Sequence, residues 1–199
     1  MLHSTVISRK NLDEIFTALA DEYVKAGGKE AFNIYVVGGA AIVINFDYRL
    51  STMDIDAFFV KNDCLTTAIA NVANNLKFPQ DWLNKDFVST PSYTDNLVAH
   101  SKLYRSYNGV INVYVLETKY IIAMKLKSSR PTGGDLDDII KMIHELRLKG
   151  EDIAYDQIIE AYKELYSDFS NTYDYFLEKT KEACDMPIEE LKELYNYDI

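Results

Sequence analysis

The first half of the chain alternates between helical and extended patterns of apolar residues. Four apolar side chains share one face at helical spacing, namely Leu12, Ile15, Phe16 and Leu19. An apolar run at residues 34–37 is typical of a buried strand, and alternation at residues 53–60 predicts a second strand. We also expect helices over residues 11–20, 40–46 and 65–76, and a third strand over residues 110–115.

Beyond residue 117 the pattern is almost entirely helical. The predicted helices cover residues 117–127, 135–148, 153–169, 173–181 and 187–195. Residues 78–97 hold two prolines and many polar residues, and we interpret them as loops with short strands. The sequence therefore predicts an α+β (mixed α/β) fold, a small sheet flanked by helices with a C-terminal helical region. We divide the chain into a domain of residues 1–149 and a helical extension, residues 150–199, packed on it.

Composition and charge narrow the classes of function. The 199 residues are 48% hydrophobic, which allows a sizeable core, and no apolar run is long enough to predict a membrane span. Residues 1–4 lack the basic and apolar regions of a signal peptide, so we expect a cytoplasmic protein. The formal net charge of −10 argues against a broad basic face that coats nucleic acid, although basic residues between 119 and 141 allow a local basic groove.

The second predicted strand carries two carboxylates at a spacing that suits a metal ion. Asp54 and Asp56 are two residues apart, so in an extended chain both side chains point to one face. Mg²⁺ prefers hard oxygen ligands that it shares with phosphate oxygens, and such ions stabilise the attacking and leaving oxygens of an in-line displacement. The alternative interpretation of the pair is a solvated strand edge.

Two glycines follow the first strand and precede the next helix. Gly38 and Gly39 allow the backbone to approach a phosphate closely, and a helix N-terminus favours anions. The alternative interpretation is an ordinary tight turn. The dinucleotide-binding pattern G-x-G-x-x-G is absent, which argues against a Rossmann domain.

The order of strand, Gly-Gly, helix and acidic strand resembles the signature of the DNA polymerase β-type nucleotidyltransferases. The sequence VGGAA at residues 37–41 and YRLSTMDIDAF at residues 48–58 is similar to the AbiEii-type and related uncharacterised bacterial nucleotidyltransferases. In that family an arginine and a Ser/Thr pair recur before the acidic strand, and Arg49, Ser51 and Thr52 occupy those places. A second block, Lys125, Arg130 and Asp135 within residues 120–139, resembles the family's helical K-L-x-x-x-R followed by D-x-x-D-I.

The resemblance covers roughly residues 30–145 and implies roles for each matched position. A nucleoside triphosphate is the expected substrate and Mg²⁺ or Mn²⁺ the expected cofactor, held by Asp54 and Asp56. The expected nucleotide-binding residues are Gly38, Gly39, Arg49, Ser51, Thr52, Lys125 and Arg130. Lys125 is also expected to offset transition-state charge, and Asp135 to act as a general base or to orient a neighbour.

One departure concerns the third carboxylate that active members carry on a later strand. The strand at residues 110–115 offers Asn112, a neutral ligand and a poor base. Either another acidic residue supplies the third carboxylate, with Glu117, Asp135 and Asp95 as the options, or catalysis is weakened.

Three functions follow from the resemblance. The first is nucleotidyl transfer to an RNA or protein acceptor, as a component of a toxin–antitoxin pair with tRNA or an antitoxin protein as partner. The second is a catalytically weakened module that binds a nucleotide or a protein. The third is transfer to a small molecule of the antibiotic type, for which the acidic balance would suit a cationic substrate.

Overall fold

The computed structural model describes residues 6–170 and 172–195. The four residues on which the signal-peptide expectation rests lie outside these ranges. Helices and strands are interspersed as far as residue 116, and every regular element that follows in the described part is a helix. This confirms the predicted α+β fold.

Seven strands are present in the described part of the chain. They are β1 (Ile7–Ser8), β2 (Phe32–Val36), β3 (Ser51–Thr52), β4 (Ile55–Phe58), β5 (Leu83–Asn84), β6 (Ser101–Tyr107) and β7 (Ile111–Leu116). Five of them form a mixed sheet in the order β5-β4-β2-β7-β6, while β1 and β3 form a separate antiparallel pair. Within the sheet β2 runs parallel to β7 and antiparallel to β4.

Eight α-helices accompany these strands in the described residues. They are α1 (Leu12–Lys25), α2 (Gly38–Asn45), α3 (Asp63–Leu76), α4 (Thr118–Ser128), α5 (Asp135–Leu148), α6 (Tyr155–Leu165), α7 (Asp174–Asp185) and α8 (Ile188–Tyr195). Two short 3₁₀ turns lie at Asp86–Ser89 and Asp95–Val98, within the segment predicted as loops.

The chain forms two compact units. The sheet unit contains residues 6–88 and 98–117, and the helical unit contains the described residues of 89–97 and 118–195. After Glu117 the helices pack against one another, α4 against α5 and α6, and α5 against α7. The division into domains after residue 149 stays a prediction. No helix in the described residues is long and apolar enough to cross a membrane.

One face of the five-stranded sheet is apolar and buried beneath α1. Ile34, Val36 and Val113 on this face are fully buried. Tyr107 of β6 points to the same side, where its ring lies 5.5 Å from that of Phe16 and its hydroxyl donates to Asp13 at 2.6 Å. Side chains alternate along a strand, so Tyr35 on β2, and Asn112 and Tyr114 on β7, point to the opposite face.

Candidate functional site

The candidate site lies at the short connection between β2 and α2, where the Gly38-Gly39 pair begins the helix. Val37 is extended, and Gly38 opens the helix with φ of +61°, a conformation that residues with a Cβ rarely adopt. The backbone N–H of Val37 donates to the carbonyl oxygen of Asp56 at 3.0 Å. This hydrogen bond fixes the glycine junction beside the acidic strand.

Three side chains crowd the two glycines. A Cβ placed on Gly38 would lie 3.3 Å from Asp56 Oδ2. A Cβ placed on Gly39 would lie 3.0 Å from Arg49 Nη2 and 3.1 Å from Thr52 Oγ1. Both positions therefore favour glycine, because a carboxylate, a guanidinium and a hydroxyl occupy the space that side chains would need.

The acidic strand is shorter than its sequence pattern predicts. The predicted strand over residues 53–60 is β4, Ile55–Phe58, and Asp54 lies in the link between β3 and β4. Asp54 is exposed and Asp56 is half-buried. The backbone N–H of Ile55, between the two aspartates, donates to the carbonyl of the fully buried Trp82 at 2.7 Å. The acidic segment is thus anchored at its centre.

The two residues before this link are held by a different partner. Ser51 and Thr52 form β3 and pair with Ser8 and Ile7 of β1. The structure therefore brings together five of the predicted residues. Ser51 is the chain neighbour of one of them, Thr52, and Asp54 lies two residues before another, Asp56. These five are Gly38, Gly39, Arg49, Thr52 and Asp56.

Asn112 lies at the end of β7 away from the glycine junction, so it does not take the place of a third carboxylate beside Asp56. It is in register with Asn33, near the start of β2, whereas Asp56 lies beside Val37 at the other end. Four positions along a strand correspond to roughly 13 Å. The β7 residue nearest to the glycine junction is Leu116. Glu117 follows it, and its carboxylate pairs with Lys102 at 2.7 Å.

The three predicted residues of the second block form a cluster inside the helical unit. Lys125 is only 7% exposed, and its Nζ lies 2.9 Å from Asp135 Oδ1 and 2.8 Å from Asp138 Oδ2. The Arg130 side chain, 64% exposed, donates through Nε and Nη2 to the two oxygens of Asp135 at 3.0 and 2.9 Å. We refer to Lys125, Arg130, Asp135 and Asp138 as the helical ion cluster.

Asp135 is the centre of the helical ion cluster and is completely buried. Burial alone would raise the pKa of its carboxyl. The hydrogen bonds from Arg130 and the charge and hydrogen bond of Lys125 outweigh burial and lower that pKa from 3.8 to about 2. A carboxylate of this kind is a weak proton acceptor, so its contacts favour orienting Arg130 over general-base catalysis.

The low pKa of Asp135 predicts a specific acid sensitivity. Because the folded-state pKa lies below the ordinary value of 3.8, the carboxylate stabilises the fold above that value and loses this effect as the pH falls towards 2. The stability advantage of wild type over Asp135→Asn should therefore shrink by about 1 kcal/mol at pH 3 and about 2 kcal/mol at pH 2. Urea unfolding of both proteins from pH 6 downwards measures this difference in the free energy of unfolding. A difference that does not change with pH would contradict a lowered pKa for Asp135.

Metal-binding capacity at the glycine junction rests on two carboxylates. The described residues contain no group of three or more His, Cys, Asp or Glu side chains arranged to hold a metal ion. Mg²⁺ is commonly held by one or two carboxylates together with substrate phosphates. Asp56 lies beside the helix N-terminus and Asp54 precedes Asp56 by two residues. This pair fits that mode of binding, in which the phosphates supply further oxygens.

A helix N-terminus with two glycines, a flanking arginine and an acidic strand defines a site suited to a phosphorylated ligand. The chain belongs to the family described as "Nucleotidyltransferase of unknown function (DUF6036)", whose model matches residues 11–181. The matched range includes both predicted blocks. No curated protein and no solved structure matches the chain.

Proposed function

We propose that this protein is a cytoplasmic, metal-dependent nucleotidyltransferase of the DNA polymerase β type that transfers a nucleotidyl group from a nucleoside triphosphate to an RNA or protein acceptor. Membership in a nucleotidyltransferase family supports the reaction class. The observation that carries the proposal is the packing of Asp56, Arg49 and Thr52 against the bare backbone of Gly38 and Gly39. This places one acidic, one basic and one hydroxyl group around a helix N-terminus.

Each group has a distinct role in the proposed reaction. The N–H groups at the start of α2 bind the triphosphate, while Arg49 pairs with its charge and Thr52, with Ser51 beside it, donates hydrogen bonds. Asp54 and Asp56 would hold Mg²⁺ or Mn²⁺, which supplies charge stabilisation for the transferring phosphoryl group.

The bond changes follow from the reaction class. The acceptor hydroxyl oxygen bonds to the α-phosphorus, the bond from that phosphorus to the bridging oxygen breaks, and pyrophosphate leaves. The hydroxyl proton passes to a carboxylate. Glu117, which directly follows the end of β7 that pairs with Val36, is our preferred acceptor once it releases Lys102. The catalytic role of Lys125 and the nucleotide contact of Arg130 stay predictions on which this proposal does not depend.

The resemblance to AbiEii-type proteins supports the biological part of the proposal. It favours tRNA or a protein as acceptor and an antitoxin as partner. The competing candidate is a catalytically weakened module. It is favoured by β7, which carries no carboxylate along its length from Ile111 to Leu116.

A label-transfer assay tests the proposal. Purified protein and Mg²⁺ are incubated with total RNA or with cell lysate, and with a triphosphate labelled at either the α or the γ phosphate. We expect only the α label to move to a macromolecule. Movement of the γ label would indicate phosphoryl transfer, and nucleotide binding without any transfer would favour the weakened module.

A glycine substitution with a matched control tests the glycine junction. Gly38→Ala and Gly109→Ala each force a Cβ onto a residue with positive φ, at +61° and +68°, which costs roughly 1–2 kcal/mol in both. Only the Cβ at Gly38 meets a neighbour, because nothing lies within 4 Å of a Cβ at Gly109. We therefore expect Gly38→Ala alone to weaken triphosphate binding, by about tenfold or more.

Isothermal titration with a non-hydrolysable triphosphate measures this affinity, and urea unfolding measures stability. Equal triphosphate affinities in the two alanine variants would show that the glycine junction does not bind phosphate.

A further inference from the structure

The sheet face opposite α1 carries a row of large side chains that crosses four strands. Phe58 of β4 is in register with Tyr35 of β2, Tyr35 with Tyr114 of β7, and Tyr114 with Leu103 of β6. Residues in register point to the same face of a sheet. We call these four residues the aromatic row.

The aromatic row is accessible. Its three rings are half-buried, and Leu103 is 54% exposed although it is apolar. The rings of Tyr35 and Tyr114 stack with centroids 4.9 Å apart, and those of Tyr35 and Phe58 lie 6.3 Å apart. The three rings therefore form a connected aromatic surface on which other planar groups can stack.

A polar row runs beside the aromatic row on the same face. Asn33, Asn112 and Ser106 are in register, and all are at least partly exposed. Asn112 Nδ2 donates to Asn33 Oδ1 at 3.1 Å, and Ser106 Oγ donates to Asn112 Oδ1 at 2.6 Å. Amide groups in this arrangement offer donors and acceptors to the edges of bases that stack on the neighbouring rings.

The charge of the sheet unit is compatible with a polyanion. Its two segments, residues 6–88 and 98–117, carry ten Lys and Arg against twelve Asp and Glu, so most of the net charge of −10 lies outside the sheet unit. At one end of the aromatic row, Lys85 Nζ lies 5.1 Å from the centre of the Phe58 ring. A cation beside stacked rings is a common partner for a nucleic-acid backbone.

The aromatic row is also continuous with the glycine junction. Asp56 and Phe58 are two residues apart on β4 and so point to the same face. We propose that this face binds the unpaired bases of a single-stranded RNA acceptor, stacked on Tyr35, Phe58 and Tyr114, and leads the reacting hydroxyl towards Asp56. The inference deepens the proposed function and rests on it for the reaction, but the binding itself requires neither nucleotide nor metal.

The face takes RNA bases in preference to a protein segment for two reasons. Three rings in a row suit successive bases, since sheets that bind single strands stack two or three bases on such residues. In addition, the polar row supplies side-chain amides rather than the free backbone edge that an added strand would need, because Asn33 and Asn112 lie on strands paired on both sides.

Fluorescence anisotropy with labelled oligo(U) RNA, without triphosphate or metal, tests the proposal. Tyr35→Leu and Tyr114→Leu keep apolar bulk but remove the ring, whereas Tyr35→Phe and Tyr114→Phe keep the ring. Each leucine variant should weaken RNA binding by about 5- to 150-fold, and each phenylalanine variant should bind like wild type. Tyr175→Leu, which alters an exposed tyrosine of the helical unit, serves as the matched control.

Oligo(U) annealed to oligo(A) should bind at least tenfold more weakly than the single strand. Equal affinity for the duplex, wild-type affinity in the leucine variants, or no binding of oligo(U) by wild type would each overturn the inference. A double variant of Asp54 and Asp56 separates the two proposals, because it should bind RNA normally even though it transfers no label. If label transfer occurs but the leucine variants bind RNA like wild type, the proposed reaction is supported and the proposed RNA-binding role of the aromatic row is rejected.

Discussion

Replacing both Asp54 and Asp56 by asparagine is expected to lower nucleotidyl transfer at least about 10³-fold while the protein stays folded. The amide retains the shape of the side chain but loses the negative charge that would hold a divalent cation against the triphosphate. Asp54 is exposed and Asp56 is only half-buried, so the free energy of unfolding should change by less than about 1 kcal/mol.

The α-label transfer assay measures this loss, and Mn²⁺ titration in the presence of triphosphate, followed by electron paramagnetic resonance, measures metal binding independently. Asp81→Asn is the matched control, since Asp81 is an exposed aspartate of the same unit that precedes the anchoring Trp82. It should retain full activity. A double variant with more than about a tenth of wild-type activity would remove Asp54 and Asp56 from the mechanism.

The second large effect is expected on stability, at the centre of the helical ion cluster. Asp135→Asn should lower the free energy of unfolding by about 3 kcal/mol near neutral pH. The substitution removes the charge that pairs with both Lys125 and Arg130, and leaves the buried Lys125 beside the single carboxylate of Asp138 among its described ion pairs. An uncompensated buried charge is costly because the protein interior solvates it poorly.

Asp137→Asn provides a control on the same turn of α5. Asp137 is exposed and pairs with Lys141 on the surface at 2.8 Å, an arrangement that contributes about 0.3–0.5 kcal/mol. Urea unfolding of both variants should separate them clearly. A double-mutant cycle of Asp135→Asn with Lys125→Met should show a coupling of at least about 1 kcal/mol, and strict additivity of the two effects would mean that the pair does not stabilise the fold.

Much of the fold could be predicted because its elements have strong local signals. The spacing of Leu12, Ile15, Phe16 and Leu19 predicted α1, and all four are buried. The apolar run at residues 34–37 corresponds to β2 and the one at 110–115 to β7. In each case the periodicity of apolar residues matches the geometry of the element that buries them.

Strands β1, β3 and β6 escaped prediction because their residues lack such a signal. β6 is an edge strand whose residues are largely exposed and include Lys102, Arg105 and Ser106, so no apolar alternation marks it. β3 has only two residues and exists because it pairs with β1. Long-range pairing of this kind leaves no trace in a local window of sequence.

For the candidate site, the sequence by itself determined which residue types lie close together along the chain. Gly38 and Gly39 follow a strand, Asp54 and Asp56 flank the start of another, and Arg49 and Thr52 fall between them. Local spacing suffices for such groups because β2 and β4 are joined by a short segment of the chain, which keeps the residues at its two ends close together. The tertiary structure adds the contacts of Arg49, Thr52 and Asp56 with the two glycines.

Strand register and burial were decided only by the tertiary structure. The sequence identified the strand that holds Asn112, but the pairing of β7 with β2 sets this residue opposite Asn33 and joins it to the polar row. Likewise, the sequence shows Asp135 as one of several acidic residues at a helix start, and only packing reveals that it is buried and bonded to Lys125 and Arg130. Register and burial depend on contacts between residues far apart in the chain. Local patterns could therefore identify Asn112 and Asp135 as candidates, but only the fold shows which residues they contact.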